Sequence, residues 1–544
     1  MCTSRQDEIQ LIKSQIPTLE EHIHIHKRLT LLSRLNTLQS TACEIPSEIL
    51  TQIFEALIAI SPESELALLK VGAVCQYWRS AAWRSPRLWT TITLRSSRRK
   101  AANFTQRNCD GLMKAFCENV GPLMLNVKLS DMHLPYSNYT KDIVEDTWNV
   151  IFSRVNVEKL RSLDIRELDT FDTCNGFHVM SSGESASFPV LEKVLLGGTP
   201  VWSDFFYRND FAKDELFFNN APRLRELDLD CFNIAITSLL PKFPWEQLTT
   251  LRLTGAKPHN VFEILPSCPC LVSFHSSKPM IPSIPPNFSI PVLIVLPALE
   301  KFGWETDTSK IPWKITLVYN RWVNLLVFSH LSLPSLRNLT WGGSLDSIAL
   351  VPGMPFVKAP RRPLAQLTIP KSIDNIHSIL SVYQSVTELD FTMTKTYLSF
   401  EDLDYLVVST SRSQDVLPRL RVLRLRFSYD KPKAHPLHNI CSKTTLLLYS
   451  RRYGPIHLDS DSAEEFELGV YDVNSPHWQK FSRLEEFYLE SRHHLMWSDS
   501  GHAAVLQAAL VGSRSYGFKD QTYPAESELL PWYHYQIIWN PTPS

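Results

Sequence analysis

The sequence predicts an α/β protein in which an N-terminal all-helical region is followed by an irregular repeat array with a curved parallel sheet. Two patterns carry this prediction. Residues 45–94 hold apolar positions at helical spacing, with helix-breaking proline turns at 61–62 and 84–86. From about residue 158 onward, short units with apolar residues at positions 1, 4 and 6 recur, as in 160–165. Each unit has the length of a strand.

Composition narrows the class of protein and its compartment. Apolar residues make up 44% of the 544 residues, enough for a sizeable core, and the formal net charge of −1 gives no general attraction to nucleic acid or anionic membranes. No run of about 18 apolar residues occurs, and the first ten residues lack the apolar core of a secretory signal. Ten scattered cysteines fit reduced thiols. We expect a cytoplasmic or nuclear protein with no nucleic-acid or membrane partner.

The helical region carries more apolar side chains than it can bury. Pro46 suits the first turn of a helix, where its missing N–H costs nothing. Two apolar stripes follow at helical spacing: Ile49, Leu50, Ile53, Phe54 and Leu57, then Leu66, Leu69, Ala73, Val74 and Trp78. About 50 residues form only a thin core, so the excess apolar surface predicts a partner site. A helical subdomain packed on the rest of the chain is the alternative.

The order and spacing of these residues resemble the F-box. Its pattern is Leu-Pro, Glu-Ile/Leu-Leu, Ile-Phe, Val-Cys-x-x-Trp-Arg and a late Leu-Trp; here 74–79 read Val-Cys-Gln-Tyr-Trp-Arg, 88–89 read Leu-Trp, and Ile45 replaces the first leucine. The resemblance implies a substrate receptor that binds the Skp adaptor of a cullin-based ubiquitin ligase and, through it, the cullin. The residues expected to bind the adaptor or support its site are Ile45, Pro46, Ile49, Leu50, Phe54, Leu69, Val74 and Trp78.

The recurring units predict parallel strands. Copies begin at Leu160, Leu191, Leu224, Leu248, Leu271, Leu299, Leu336, Leu364, Val386, Leu420 and Leu484. The mean interval up to Leu420 is roughly 29 residues, at the upper end of the leucine-rich-repeat range. The array resembles the leucine-rich-repeat domains that often follow an F-box, and the combination resembles proteins abundant in mushroom-forming fungi. An unrelated α/β domain with several leucine-rich strands is the alternative.

These patterns divide the chain into five expected segments. They are an N-terminal helix at 1–40, the F-box at 41–95, a linker with the first solenoid elements at 96–157, a leucine-rich-repeat-like solenoid at 158–495, and a C-terminal cap or tail at 496–544. The helical region is expected to be a separate unit. The basic linker near 96–110 is expected to be the first site of proteolysis.

The strand period also predicts a target-binding face. Positions 3, 5 and 7 of each copy point away from the core side chains. In the later copies they include Arg424, Arg426 and Tyr488, which together with Trp532 of the tail are the residues expected to bind an unknown protein substrate. The two arginines share one strand face and could grip an acidic or phosphorylated segment. The alternative is that they pair with the acidic stretch 459–465 of the same chain.

The sequence carries no recognisable catalytic or cofactor motif. Nucleophile-elbow, zinc-protease, Walker and dinucleotide-binding patterns are missing, and 17 glycines argue against phosphate-cradling loops. We expect no enzyme, no cofactor and no metal; Cys268 and Cys270 would be the first residues to suspect if zinc were found. A non-ligase scaffold or transcription-linked binding protein is the alternative function, although a helix-turn-helix there would offer a DNA groove only Lys70, Gln76 and Arg79.

Overall fold

The computed structural model describes a defined set of residues, in two compact units. The described residues are 5–15, 30–32, 34–35, 44–60, 64–95, 114–130, 157–168, 187–198, 218, 220–230, 243–278, 293–305, 322–323, 326–342, 363–369, 380–381, 383–393, 406, 417–427, 444, 447–448, 450–451, 482, 484–491, 513–514 and 533–539. The units are Met1–Gln247 and Leu248–Ser544. The expected cleavage site near 96–110 lies outside the described residues.

The first unit opens with helices. They are α1 (Arg5–Gln15), α2 (Ser47–Ile60), α3 (Ser64–Val74) and α4 (Gln76–Trp83). On α1 the buried side chains are Ile9 and Ile12. Helix α2 ends at Ile60, immediately before the proline turn predicted at 61–62. Among the described residues, no helix combines the length and the apolar character that crossing a membrane requires.

The second apolar stripe predicted from sequence is divided between two helices, α3 and α4. The break falls at Cys75, whose backbone is extended (φ −157°, ψ 169°) and whose thiol accepts a hydrogen bond from the Trp78 N–H at 3.4 Å. This is the geometry of a helix N-cap, with sulfur in place of the usual side-chain oxygen. The apolar stripe runs without interruption through both helices, and it therefore concealed the break.

The helices lead directly into a parallel sheet. A 3₁₀ turn (Pro86–Trp89) precedes the strands of the first unit, which are β1 (Thr91–Arg95), β2 (Leu125–Ser130), β3 (Leu160–Leu168), β4 (Lys193–Gly198) and β5 (Glu226–Asp230). All are parallel, in the order in which they occur in the chain. Strand β1 belongs to the predicted F-box segment and pairs with β2, which follows that segment in the chain.

An aromatic cluster joins the helices to the sheet. The buried Trp89 donates from Nε1 to the Ala82 carbonyl at 2.9 Å. Its ring makes edge contacts with Trp83, 4.8 Å away, and with Phe116, 4.9 Å away. Phe116 is buried and lies beyond the predicted F-box boundary at residue 95. The core of the helical region is therefore completed by residues that follow it in the chain.

The second unit continues the same strand pattern. Its strands are β6 (Thr250–Thr254), β7 (Ser273–Ser277), β8 (Ile294–Val295), β9 (Lys301–Glu305), β10 (Leu331–Ser332), β11 (Asn338–Trp341), β12 (Gln366–Ile369), β13 (Glu388–Met393), β14 (Val422–Phe427), β15 (Glu486–Ser491), β16 (Ser513–Arg514) and β17 (Tyr533–Trp539). A short helix, α5 (Pro258–Ile264), follows β6.

Parallel pairing dominates this unit as well. Strands β6, β7, β9, β11, β12, β13, β14 and β15 pair in that order and are parallel, while β8 and β10 form a separate parallel pair. The end of the sheet is antiparallel: β17 pairs with β15, and β16 pairs with β17. Every predicted leucine unit coincides with a parallel strand, which confirms the predicted α/β class and parallel sheet. The sequence did not predict the antiparallel end.

Side chains alternate across these strands as the period-2 pattern predicts. In β5, Leu227 and Leu229 are buried, while Glu226, Asp228 and Asp230 lie on the other face and are at least partly exposed. Strand β14 repeats the arrangement with Leu423 and Leu425 inside. A one-residue slip would move both leucines to the polar face. The inward leucines therefore fix which residues face outward.

We predict that Phe116→Ala destabilises the helical region although it lies outside it. Truncating a fully buried phenylalanine costs about 3–5 kcal/mol, and here the loss removes a ring that packs on Trp89. Urea unfolding should show the lower free energy of unfolding, and hydrogen exchange should speed up in residues 76–95. Met124→Ala, at an exposed position, is the control. Unchanged exchange in 76–95 would contradict the packing role.

Candidate protein-interaction surfaces

Helix α2 presents a continuous apolar stripe to solvent. Ile49, Ile53 and Leu57 are 46%, 45% and 40% exposed, and their spacing of four residues places them on one side of the helix. Ile60 extends the stripe and is more exposed still. On α3, Leu69 and Val74 are also exposed. We call Ile49, Ile53 and Leu57 the α2 stripe. Exposed aliphatic side chains in a row are costly in water and mark a surface that a partner covers.

The side of α2 next to the stripe is buried and supports it. Leu50 and Phe54 are fully buried, and the Phe54 ring lies 5.3 Å from that of Trp78, which is half-buried. Of the residues predicted to serve the adaptor site, Leu50 and Phe54 are therefore core side chains with no surface to offer. Pro46, Ile49, Leu69 and Val74 are exposed, and Ile45 is half-buried.

Three contacts fix how the helices of this region are arranged. The Tyr77 hydroxyl donates to the Ile45 carbonyl at 2.8 Å, which ties α4 to the segment before α2. Arg79 donates from Nε to the Gly72 carbonyl, also at 2.8 Å, and so joins α4 to α3. A Cβ on Gly72 would overlap the Trp83 ring, so only glycine permits this approach. The helices are held by contacts that leave the α2 stripe uncovered.

Sequence reasoning named Ile49 as a site residue but not Ile53, Leu57 or Ile60. The signal that distinguishes them was present. Residues at i, i+4 and i+8 share one side of a helix. The row of Ile49 and Leu57 and the row of Leu50 and Phe54 therefore lie on neighbouring sides of α2, one residue apart around the helix. Which of the two stripes is buried depends on tertiary packing, and the helical period alone does not decide it.

Comparison with known families agrees with this geometry. Residues 42–95 match the family model described as F-box-like, so this segment is an F-box-like domain. Comparison of the whole chain with curated proteins gave no match.

The second unit brings together three of the four residues predicted to bind a target. Arg424 Nη1 lies 3.3 Å from Glu388 Oε2, and the guanidinium carbon lies 5.0 Å from the centre of the Tyr488 ring. Tyr488 donates its hydroxyl to Glu486 at 2.7 Å. Arg426 Nη2 lies 3.5 Å from Asp390 Oδ2. These residues lie on β13, β14 and β15, where Asp390, Arg424 and Tyr488 are register partners. Trp532 lies outside the described residues.

The two arginines have acidic partners on the neighbouring strand. The stretch 459–465, named from sequence as their alternative partner, lies outside the described residues. Glu388 and Asp390 were missed, although they occupy positions 3 and 5 of the adjacent copy. Both ion pairs run diagonally between the neighbouring strands: position 5 of β14 pairs with position 3 of β13, and position 7 pairs with position 5. Counting Glu486, three carboxylates lie beside two guanidinium groups on this part of the sheet.

The cysteines suspected as zinc ligands differ from each other. Cys268 is buried, its thiol lies 3.6 Å from the Ile264 carbonyl oxygen, and burial raises its pKa to about 12. Cys270 is exposed. A thiol must lose its proton to bind zinc, and Cys268 resists this. Within the described part of the chain, no group of three or more His, Cys, Asp and Glu residues is placed to hold a metal ion.

Thiol labelling should separate these two cysteines. At pH 8 a group with a pKa of about 12 is a thiolate in only about one molecule in 10⁴, and burial blocks access as well. Iodoacetamide followed by peptide mass mapping should therefore modify Cys270 and leave Cys268 unmodified in the native protein. Both should react in 6 M guanidinium, which serves as the internal control. Equal labelling of both in the native protein would contradict the burial of Cys268.

Proposed function

We propose that the chain is the substrate-recognition subunit of a Skp-cullin-F-box ubiquitin ligase and not an enzyme itself. F-box domains generally bind Skp-type adaptors, and a cullin joins through the adaptor. The observation that carries the proposal is the α2 stripe, because it lies within the F-box-like domain and leaves three aliphatic side chains exposed on one helix side. Burying such side chains on an apolar partner yields about 25 cal/mol per Å² of apolar surface removed from water.

The division between buried and exposed residues supports a docking role over a purely internal one. Were the domain only a helical subdomain packed on the rest of the chain, both stripes of α2 would be covered. Leu50 and Phe54 are covered, whereas the α2 stripe is not. Val74, immediately before the Cys75 cap, adds a further exposed aliphatic group at the end of α3. An adaptor with an apolar groove is the partner that fits these residues.

In this proposal the parallel strands form a leucine-rich-repeat-like solenoid that holds the target protein. Its target-binding residues are Arg424, Arg426 and Tyr488, together with Trp532. Support comes from the Arg424–Tyr488 stack, which restrains a long flexible side chain before any target arrives. Restrained arginine and tyrosine side chains are the types that concentrate binding energy at interfaces. The second candidate is a non-ligase scaffold, which the same surfaces would also serve if no cullin joined.

We predict that replacing the α2 stripe by serine (Ile49, Ile53 and Leu57 together) abolishes binding to a recombinant Skp-type adaptor. Loss of three anchoring side chains should weaken binding by roughly 100-fold or more, measured by calorimetry. The melting temperature should fall much less than binding does, because these side chains are 40–46% exposed in the free chain. Leu50→Ala should instead lower the free energy of unfolding by about 2–5 kcal/mol.

The matched control is Leu293→Ser with Val295→Ser, two similarly exposed aliphatic residues of the second unit. This variant should bind the adaptor as the wild type does. Failure of the wild-type chain to bind the adaptor at micromolar concentration would remove the basis of the proposed function.

For the target-binding face, a charge exchange separates recognition from internal pairing. Arg424→Glu alone should lower both the melting temperature and target capture, because the new glutamate side chain lies beside Glu388 and the two carboxylates repel each other. The double variant Arg424→Glu with Glu388→Arg restores an ion pair of opposite sense and should recover the melting temperature. If Arg424 contacts the target, capture quantified by mass spectrometry should remain low. Recovery of capture together with stability would show that Arg424 serves only the sheet.

A further inference from the structure

A polar groove lies at the N-terminal ends of β2, β3, β4 and β5 in the first unit. Its volume is about 310 Å³, and it is lined by Asn126, Arg161, Ser162, Glu192, Lys193, Arg225 and Glu226. We call it the edge groove. All of these residues occupy equivalent places at or just before the start of successive parallel strands. Neither the adaptor-binding proposal nor the predicted target-binding residues involve them.

The groove has more hydrogen-bond donors than acceptors. Arg161 uses only Nε, which donates to Glu192 Oε2 at 2.8 Å; its two terminal nitrogens have no partner among the described residues. Lys193 Nζ makes one contact, to Glu226 Oε2 at 2.9 Å. Each carboxylate is thus matched by one cation, and the guanidinium fork of Arg161 remains available. A planar fork of N–H groups suits a carboxylate or phosphate, which accepts two bonds at once.

Arg225, Asn126 and the backbone at the start of β5 are held in place before any ligand binds. The Glu192 carbonyl accepts from the backbone N–H groups of Arg225 and Glu226, at 2.9 and 3.0 Å. Arg225 Nη1 also donates to the carbonyls of Pro222 and Leu224, at 3.3 and 3.1 Å. At the other end, Asn126 Nδ2 donates to the Thr90 carbonyl at 3.3 Å. A site whose side chains are fixed in advance loses less conformational entropy on binding.

We propose that the edge groove binds an anionic side chain, a carboxylate or a phosphate, carried by an extended segment of a partner protein. The volume suits one or two side chains, and the cations follow one another at the spacing of neighbouring strands, about 4.8 Å. Two interspersed carboxylates disfavour the closely spaced phosphates of a nucleic acid, and none of the lining residues is an aromatic on which a base could stack. The inference names the chemistry of one part of the target-binding surface and rests on the proposed receptor role.

Fluorescence anisotropy with the full chain and three labelled peptides tests the proposal. The peptides share a Gly/Ser framework and differ at four central positions, which are glutamate, phosphoserine or glutamine. In low salt, at least one anionic peptide should bind about fivefold or more tightly than the glutamine peptide, and this preference should shrink as salt screens the charges. Whether glutamate or phosphoserine binds better identifies the source of the anion.

A double variant and a position-matched control complete the test. Arg161→Gln with Lys193→Gln should abolish the anionic preference. Arg337→Gln with Lys301→Gln changes exposed residues that precede or begin β11 and β9 at equivalent strand positions, and it should leave the preference intact. Equal binding of all three peptides, or equal losses in both variants, would overturn the proposal. Adaptor binding is measured on the same samples: if it persists while the peptide preference is missing, the edge groove fails and the adaptor role stands.

Discussion

One repeated backbone contact sets the register of the strands. At the start of a strand, two consecutive N–H groups donate to a single carbonyl of the preceding strand in the sheet. Thr387 and Glu388 both donate to Ala365 at 2.9 Å, and Arg421 and Val422 donate to Thr387 at 2.8 and 3.0 Å. The same arrangement joins β4 to β5 in the first unit, and in the second unit it recurs from β6 and β7 to β14 and β15. Because it fixes equal positions side by side, it makes Asp390 and Arg424 register partners and places Glu388 diagonally across from Arg424, with which it forms an ion pair.

Side-chain pairs at the same edge reinforce this register. Arg161 and Glu192 form an ion pair at the starts of β3 and β4, and Arg421 and Glu485 form another just before β14 and β15, through two hydrogen bonds of 2.8 and 2.6 Å. The pairing with Glu485 raises the pKa of Arg421, first through the hydrogen bond and then through the attraction of the charges. These pairs are largely exposed, so each contributes little to stability on its own. Their effect is to disfavour a shifted register, in which the partners would not meet.

The strands could be predicted from the sequence because the alternation of apolar and polar residues that defines each one lies within a few consecutive positions. The alternation in Glu226–Asp230 and the repeated leucine units were sufficient to place the inward and outward residues. The sequence did not predict β1, a five-residue strand that follows the helices directly. Nor did it predict the contact of Phe116 with Trp89, which joins residues distant in the chain. In the F-box-like domain the periodicity gave both stripes of α2, but only packing reveals that Leu50 is inside and Ile49 outside. Similarly, the partners of Arg424 and Arg426 depend on which copy lies beside β14.

The contact in which two consecutive N–H groups share one carbonyl involves only two residues at the start of a strand. It places no constraint on the length of the connection between strands. Copies starting at Leu248 and Leu271 are 23 residues apart, whereas those at Leu420 and Leu484 are 64 apart, yet in both cases the strands are parallel neighbours. Each doubling of a flexible connection costs only about 0.6 kcal/mol in closure entropy. Connections can therefore lengthen, shorten or be exchanged between related chains without displacing a single residue of the strand face. Variation in length is in this way separated from variation in surface chemistry, and each can proceed while the other is held constant.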